Sequence, residues 1–249
     1  MLSLSFYAFK MKLLSQYNYI CPALLLSLSF LVLGCDQRDE PESNVPKSTI
    51  EHSEPPDFEN VDTDQVFVYN CGDTLRFTAH VTQDSTWLFL SDTTLKVLPV
   101  KAASGARYEG HSYLYWSKGN KAILQKPRGS FTTCQSVPQE RSWAAAKLRG
   151  VHFRALGQEP GWFLELNKES RLRYVGNYGR DTVIVKTPVP ETGAQGKRTV
   201  YQSKNAQQSL KLVIADTPCT DSMSGFNFPQ TVTLTVGDET YRGCGRYLQ

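Results

Sequence analysis

Few side chains in this chain of 249 residues have the types and spacing that chemistry needs. The most pointed group is Ala103-Ser104-Gly105-Ala106-Arg107-Tyr108, followed by Tyr115-Trp116-Ser117-Lys118-Gly119. It reads as a small-residue loop running into an aromatic strand that ends in a lysine turn. The Ser104 hydroxyl can donate one hydrogen bond and accept another. Gly105 has no Cβ, so the backbone beside Ser104 can come close to a neighbour. Lys118 adds an ammonium able to make a charge-assisted bond to a carboxylate. These groups suit insertion into another protein's cleft better than catalysis. Glu159 and Asp221 could be imagined as a carboxylate pair for glycan hydrolysis. Turn chemistry explains both more simply: Glu159-Pro160-Gly161 reads as a turn and Asp221 as a loop cap. The four histidines, His52, His80, His111 and His152, are scattered without ligand spacing. A zinc site is disfavoured, because no CxxC or HxxxH spacing occurs. A phosphate loop and a Gly-x-Ser-x-Gly elbow are also missing from the sequence. It therefore gives no sign of a metal, a cofactor or an enzyme.

The N-terminal residues bear on where such a loop would act. Met11-Lys12 opens a short basic region, followed by the apolar run Ala23 to Leu33, which ends at Val32-Leu33-Gly34-Cys35. A basic start, a short apolar core and a small residue before the cleavage point describe a secretory signal over residues 1–34. Met11 is a better start for it than Met1. The run is too short for a comfortable membrane-spanning helix. Cys35 directly after Gly34 resembles a bacterial lipobox, in which the thiol is acylated and becomes the mature N-terminus. The expected location is the bacterial cell envelope, lipid-anchored and facing the periplasm. Asp36 after the lipidated cysteine leaves open whether the membrane is inner or outer.

Six cysteines are present. Cys21 leaves with the signal and Cys35 would carry the lipid. Cys71, Cys134, Cys219 and Cys244 remain, an even number in an exported chain, where disulfides are permitted. Four cysteines allow three pairings. A split into two domains favours Cys71–Cys134 and Cys219–Cys244, each worth roughly 3–4 kcal/mol by loop-closure entropy.

Residues 35–64 read as a lipidated N-terminus and acidic tether. Between 36 and 64 lie ten acidic and two basic residues, with Pro41, Pro46, Pro55 and Pro56. Such a segment buries too little surface to offset its ordering entropy. The whole chain carries +3, the signal region +2 and the tether −8, which leaves +9 on residues 65–249. A basic body can sit against anionic lipid or glycan. Neither a nucleic-acid motif nor an intracellular location supports a nucleic-acid partner.

From Gln65 the pattern is strand-like. Short apolar or alternating runs occur at 66–69, 75–79, 87–90, 95–98, 113–116 and 122–124, with turn residues between them. This spacing predicts an antiparallel barrel or sandwich over 65–137. Pro138 to Leu148 reads as a short helix at a junction. A second β-rich domain is predicted over 138–249, with strands near 151–155, 162–166, 172–175, 182–186, 200–202, 210–214, 231–236 and 239–242, and a Gly/Pro loop at 188–197. The fold class is all-β.

Tyr69-Asn70-Cys71, Ser104-Gly105-Ala106-Arg107-Tyr108, Tyr115-Trp116-Ser117-Lys118-Gly119 and Cys134 occur in an order that resembles the membrane-bound inhibitors of c-type lysozyme. The resemblance covers about a third of the mature chain. It implies an eight-stranded antiparallel barrel and a c-type lysozyme as protein partner. It also implies a loop that enters the lysozyme cleft, with Ser104 and Lys118 as the contacting side chains, Gly105 beside them, and Tyr108 in the contact set or supporting the loop. Arg107 would pair locally. Tyr113, Tyr115 and Trp116 would pack in the core and across strands. Lysozyme works with two carboxyl groups, which a hydroxyl and an ammonium can engage.

Charge does not help the encounter. C-type lysozymes are generally basic, and residues 65–137 carry eight basic and four acidic residues, net +4, so long-range attraction is not expected. The second domain, with Gly157-Gln158-Glu159-Pro160-Gly161-Trp162 and Tyr241-Arg242-Gly243-Cys244-Gly245, resembles a domain of uncharacterised bacterial envelope proteins, from which no function follows. A glycan-binding or peptidoglycan-hydrolysing role centred on that domain is the alternative reading.

Overall fold

The structure is a computed structural model and describes residues 58–193, 196–204 and 209–248. The signal segment, Cys21, Cys35 and the tether up to residue 57 lie outside the described residues.

Eight strands close into an antiparallel barrel. They are β1 (Val66–Cys71), β2 (Leu75–Val81), β3 (Thr86–Phe89), β4 (Thr94–Val100), β5 (Ala106–Gly110), β6 (Tyr113–Lys118), β7 (Lys121–Gln125) and β8 (Phe131–Ser136). Alternation along the strands sends Phe77, Ala79, Leu95, Val97, Ala122, Leu124 and a set of aromatics inward. Tyr69 stacks on Phe77 at 5.2 Å between ring centroids, and Tyr108 on Tyr115 at 5.6 Å. The buried Tyr115 hydroxyl donates to the Tyr69 hydroxyl at 3.2 Å, so the polar tips of the two rings satisfy each other.

The seam that closes the barrel is short. β1 and β8 share two registered pairs, Tyr69 with Ser136 and Asn70 with Gln135. The Cys71–Cys134 disulfide lies beside them and ties the end of β1 to β8. Val137 adds a backbone bond to the Val68 carbonyl at 2.8 Å.

A 3₁₀ turn at Pro138–Glu140 leads into α1 (Arg141–Leu148). This helix packs on β1 through Ala145, which meets Val61 and Val66. Arg141 donates to the carbonyls of Val66 (2.7 Å) and Asp64 (2.8 Å), and Arg149 to that of Val61 (2.9 Å). Residues 58–64, read from the sequence as tether, are therefore part of the folded unit. Phe58 sits edge-on to His80, Trp87 and Phe89, and Val61 is buried. Two apolar side chains among many acidic ones, each packed against other elements, fix the segment together with the arginine bonds to its carbonyls.

The second sheet has nine strands. In chain order its strands and a small flanking pair are β9 (Phe153–Gly157), β10 (Trp162–Leu166), β11 (Arg171–Gly176), β12 (Asp181–Lys186), β13 (Glu191–Thr192), β14 (Arg198–Lys204), β15 (Ser209–Ala215), β16 (Cys219–Thr220), β17 (Asn227–Phe228), β18 (Gln230–Val236) and β19 (Glu239–Tyr247). The sheet order is β12-β11-β10-β9-β19-β18-β15-β14-β13, with β16 and β17 paired separately. It curls so that Val183 and Val185 of β12 and Tyr201 of β14 share one core with Leu164, Leu212 and Val232. Cys219–Cys244 fastens the β16 segment to β19. The fold is all-β apart from α1 and short turns, as the sequence predicts.

Charges join the barrel to the second sheet. Glu140 meets Arg76 of β2 at 3.1 Å and Arg246 of β19. Burial alone would raise the Glu140 pKa, but the two guanidinium groups outweigh it and hold the carboxyl below its ordinary value. The buried Glu165 accepts from Arg149 at 2.7 Å and from Arg154. Because α1 and these ion pairs brace β1 and β2, a chain ending at Val137 is expected to melt at a lower temperature than the full chain. Equal midpoints in thermal unfolding would contradict this.

His80 supplies a pH dependence. It is 6% exposed, packs against Phe58, and among the described residues neither ring nitrogen meets a hydrogen-bond partner. Burial lowers its pKa. The unfolded chain then takes up a proton near pH 6.5 that the folded chain does not. The contribution of His80 should be constant above about pH 7 and fall as pH drops through about 6.5 toward the folded value. The same sign holds for His152, whose pKa is also lowered by burial. His80→Phe should therefore remove part of the fall in melting temperature between about pH 7 and pH 5. An unchanged slope would exclude the role of His80.

Candidate functional site

One rim of the barrel gathers the sequence-predicted residues. The loop 101–105 joins β4 to β5, and Gly119-Asn120 turn β6 into β7. β5 pairs with β6 through Ala106 and Ser117, so the loop lies beside the end of β6. Gly105 sits there at φ +73, a left-handed conformation that favours glycine. A Cβ at this position would lie 2.3 Å from the Ser117 carbonyl oxygen and 3.2 Å from the Lys118 Cβ. Gly105 is thus the close approach that seats the Ser104 loop against the root of Lys118. Trp116 holds it there: its indole N–H donates to the Ser104 carbonyl at 2.8 Å.

This arrangement leaves the polar tips free. Ser104 and Lys118 are both exposed, and among the described residues neither the hydroxyl nor the ammonium has a protein partner. Gly119 takes φ +59, the left-handed value that suits the first position of a tight hairpin turn. The strand register pairs Lys118 with Lys121 across that turn. Trp116, Lys118, Lys121, Ile123 and Thr133 line a shallow hollow of about 240 Å³ on the outer wall.

Tyr108 is not at the rim. It is 8% exposed and stacked on Tyr115 inside the barrel, so its expected place in the contact set is corrected to a packing role. The reason is the pleat of β5, which turns Arg107 outward and Tyr108 inward. Arg107 pairs with Glu109 on its own strand. Tyr115 is fully buried, whereas Trp116 is half-buried and serves as the loop's anchor, a role that the sequence does not disclose. Ser104, Gly105 and Lys118 do come together.

The other candidate pair does not form a free acid and base. Asp221 is 5% exposed. One carboxylate oxygen accepts from the Ser224 backbone N–H at 2.8 Å and from its hydroxyl, and the other from Gln158 at 3.3 Å. Burial raises its pKa, but the bonds from Ser224 and Gln158 together outweigh burial and hold it low. Glu159 is exposed in the turn at φ +59. Asp221 caps its loop. Among the described residues no group of His, Cys, Asp or Glu is placed to hold a metal ion.

The rim geometry gives a direct test. Gly105→Ala should drive a Cβ into the Ser117 carbonyl and impose a disfavoured φ, displacing the loop and destabilising the barrel by roughly 1–3 kcal/mol. Thermal unfolding and Trp116 fluorescence read both effects; a variant matching the parent in both would show that the close approach is not needed.

Known proteins resemble this barrel. Residues 69–131 match the family model described as membrane-bound lysozyme-inhibitor of c-type lysozyme. A curated protein of Yersinia enterocolitica, named membrane-bound lysozyme inhibitor of C-type lysozyme, is 41% identical over 59 residues, 23% of this chain and 50% of its own length. The chain thus spans about half the length of the curated relative it matches. No solved structure matches the chain significantly. The family match ends at Phe131, so the second sheet lies outside it, and the barrel with its Ser104–Lys118 rim is the part of this chain that is similar to the membrane-bound inhibitors of c-type lysozyme.

Proposed function

We propose that this protein is a lipid-anchored inhibitor of c-type lysozyme in the bacterial cell envelope, and that its barrel, not an enzyme, protects peptidoglycan. The observation that carries the reading is the seating of Gly105 against Ser117 and Lys118, which presents a free hydroxyl and a free ammonium at one rim. A lysozyme cleft holds two carboxyl groups. Ser104 would bond to one and Lys118 would form a charge-assisted bond to the other. Each such bond to a charged group contributes about 1.5–3 kcal/mol.

Phe58 packs on His80 and Trp87, at the end where β1 begins and pairs Val66 with His80. The β4–β5 loop and the β6–β7 turn lie at that same end, because every neighbouring pair of the eight strands is antiparallel, and Gln135 of β8 pairs with both Asn70 and Lys121. No helix among the described residues is long and apolar enough to cross a membrane.

The barrel's net charge of +4 gives no long-range attraction to a basic lysozyme, so affinity should rest on the inserted groups. Ser104→Ala combined with Lys118→Ala is expected to weaken inhibition of a c-type lysozyme by about 100-fold or more while the melting temperature is kept. A turbidity assay on cell walls measures the first and thermal unfolding the second. Parental inhibition by the double variant would overturn the assignment.

A further inference from the structure

We infer that Lys121 is a second cation of this rim, and that Lys118 and Lys121 together form a dication that meets paired carboxylates on the partner. The inference rests on the inhibitor reading above and adds a residue that the motif does not contain.

The register places the two lysines directly opposite each other on β6 and β7, across the two-residue turn Gly119-Asn120. Directly opposed like charges destabilise an antiparallel pair. Neither ammonium has an ion-pair or hydrogen-bond partner among the described residues. The barrel's carboxylates are engaged elsewhere or stand apart. Asp92 is paired with Lys126 and Glu109 with Arg107. Asp84 is bonded to Thr82 and Ser85. Asp73, in the turn after β1, makes no ion pair with either lysine. Gln135, the neighbour of Lys121 on β8, gives its amide N–H to the Asn120 carbonyl at 3.0 Å. A local rule broken without internal compensation marks a functional position.

The surroundings fit an anionic partner. The hollow between the lysines and Trp116, Ile123 and Thr133 offers an apolar wall against which a bound group would lose water, strengthening its contact with the ammonium groups. The carboxyl groups of a retaining glycosidase stand about 5–5.5 Å apart. Opposed cross-strand Cβ atoms stand about 4.5–5.5 Å apart. The Lys121 ammonium, on its flexible stem, can therefore reach the pair of carboxyl groups that Ser104 and Lys118 engage.

Lys121→Gln in the full chain is expected to weaken lysozyme inhibition by about tenfold to a hundredfold, while its melting temperature stays level or rises as the repulsion is removed. Lys121→Arg should retain most of the inhibition. Opposite signs in stability and inhibition separate a contact from a structural role. If Lys121→Gln inhibits like the parent while Lys118→Gln does not, this inference fails and the inhibitor reading stands. If inhibition falls only with the melting temperature, Lys121 is structural and the inference also fails. If neither lysine matters, the inference fails together with the assignment of the inhibitory contact to this rim, and the inhibitor reading itself fails if the parent does not inhibit.

Discussion

The short seam between β1 and β8 is the constraint on which the rest of the structure depends. Seven of the barrel's neighbouring strand pairs follow one another along the chain, each joined by a turn or loop. The closing pair does not. Its two cysteines lie 63 residues apart in sequence, and two registered pairs hold its ladder. Closure entropy for such a span must be met by something besides ladder bonds. The Cys71–Cys134 disulfide meets it covalently, and α1 meets it from outside by gripping β1 through Val66 and the Arg141 bonds. The seam lies next to the rim: Gln135 pairs with Asn70 on one side and Lys121 on the other. An opening there would release the hairpin that carries Lys118 and the surface that seats the Ser104 loop.

The second sheet bears on the seam through charge. Glu140 stands between Arg76 of the barrel and Arg246 of the sheet, and Arg149 links the buried Glu165 to the Val61 carbonyl beside β1. Ion pairs of this kind add little net stability once desolvation is counted. Their geometry is directional, however, and an unpaired Glu140 or Glu165 would be costly. The charges therefore act on register and placement, while the apolar contacts of Val61, Val66 and Ala145 supply the burial. The module whose own role the barrel family does not explain is at least the brace of the strand that closes the barrel.

Legibility in the sequence follows the strength of local alternation. β2, β6 and β7 carry clear apolar patterns and are readable. β5, Ala106–Gly110, and β8, Phe131–Ser136, are mostly polar or small, and their strand state is fixed by partners on other strands. The resemblance supplies the strand count that periodicity does not. Tyr108 shows the consequence: its side depends on the pleat of β5, and without that strand the tyrosine reads only as part of the motif. Residues 58–64 read as tether for a different reason, since acidic composition outweighs Phe58 and Val61, whose binding hollows belong to other elements. Lys121 is within reach of the sequence. Lys118-Gly119-Asn120-Lys121 is a two-residue hairpin in sequence form, and such a turn places its flanking residues opposite each other.

The rim itself runs against the preferences that shape the rest of the barrel. Inside, aromatic rings stack and their hydroxyls pair. At the rim, a glycine holds a left-handed φ against a backbone carbonyl, a serine hydroxyl is left without a partner, and two ammonium groups face each other. The opposed ammonium groups cost stability locally, and all three features are confined to one end. A barrel held shut by a disulfide and a packed aromatic core can carry such an end without opening. It also keeps the end rigid, so the groups need no reordering when a partner arrives. The cost of exposing them is met in the fold, before binding, by the same seam that positions them.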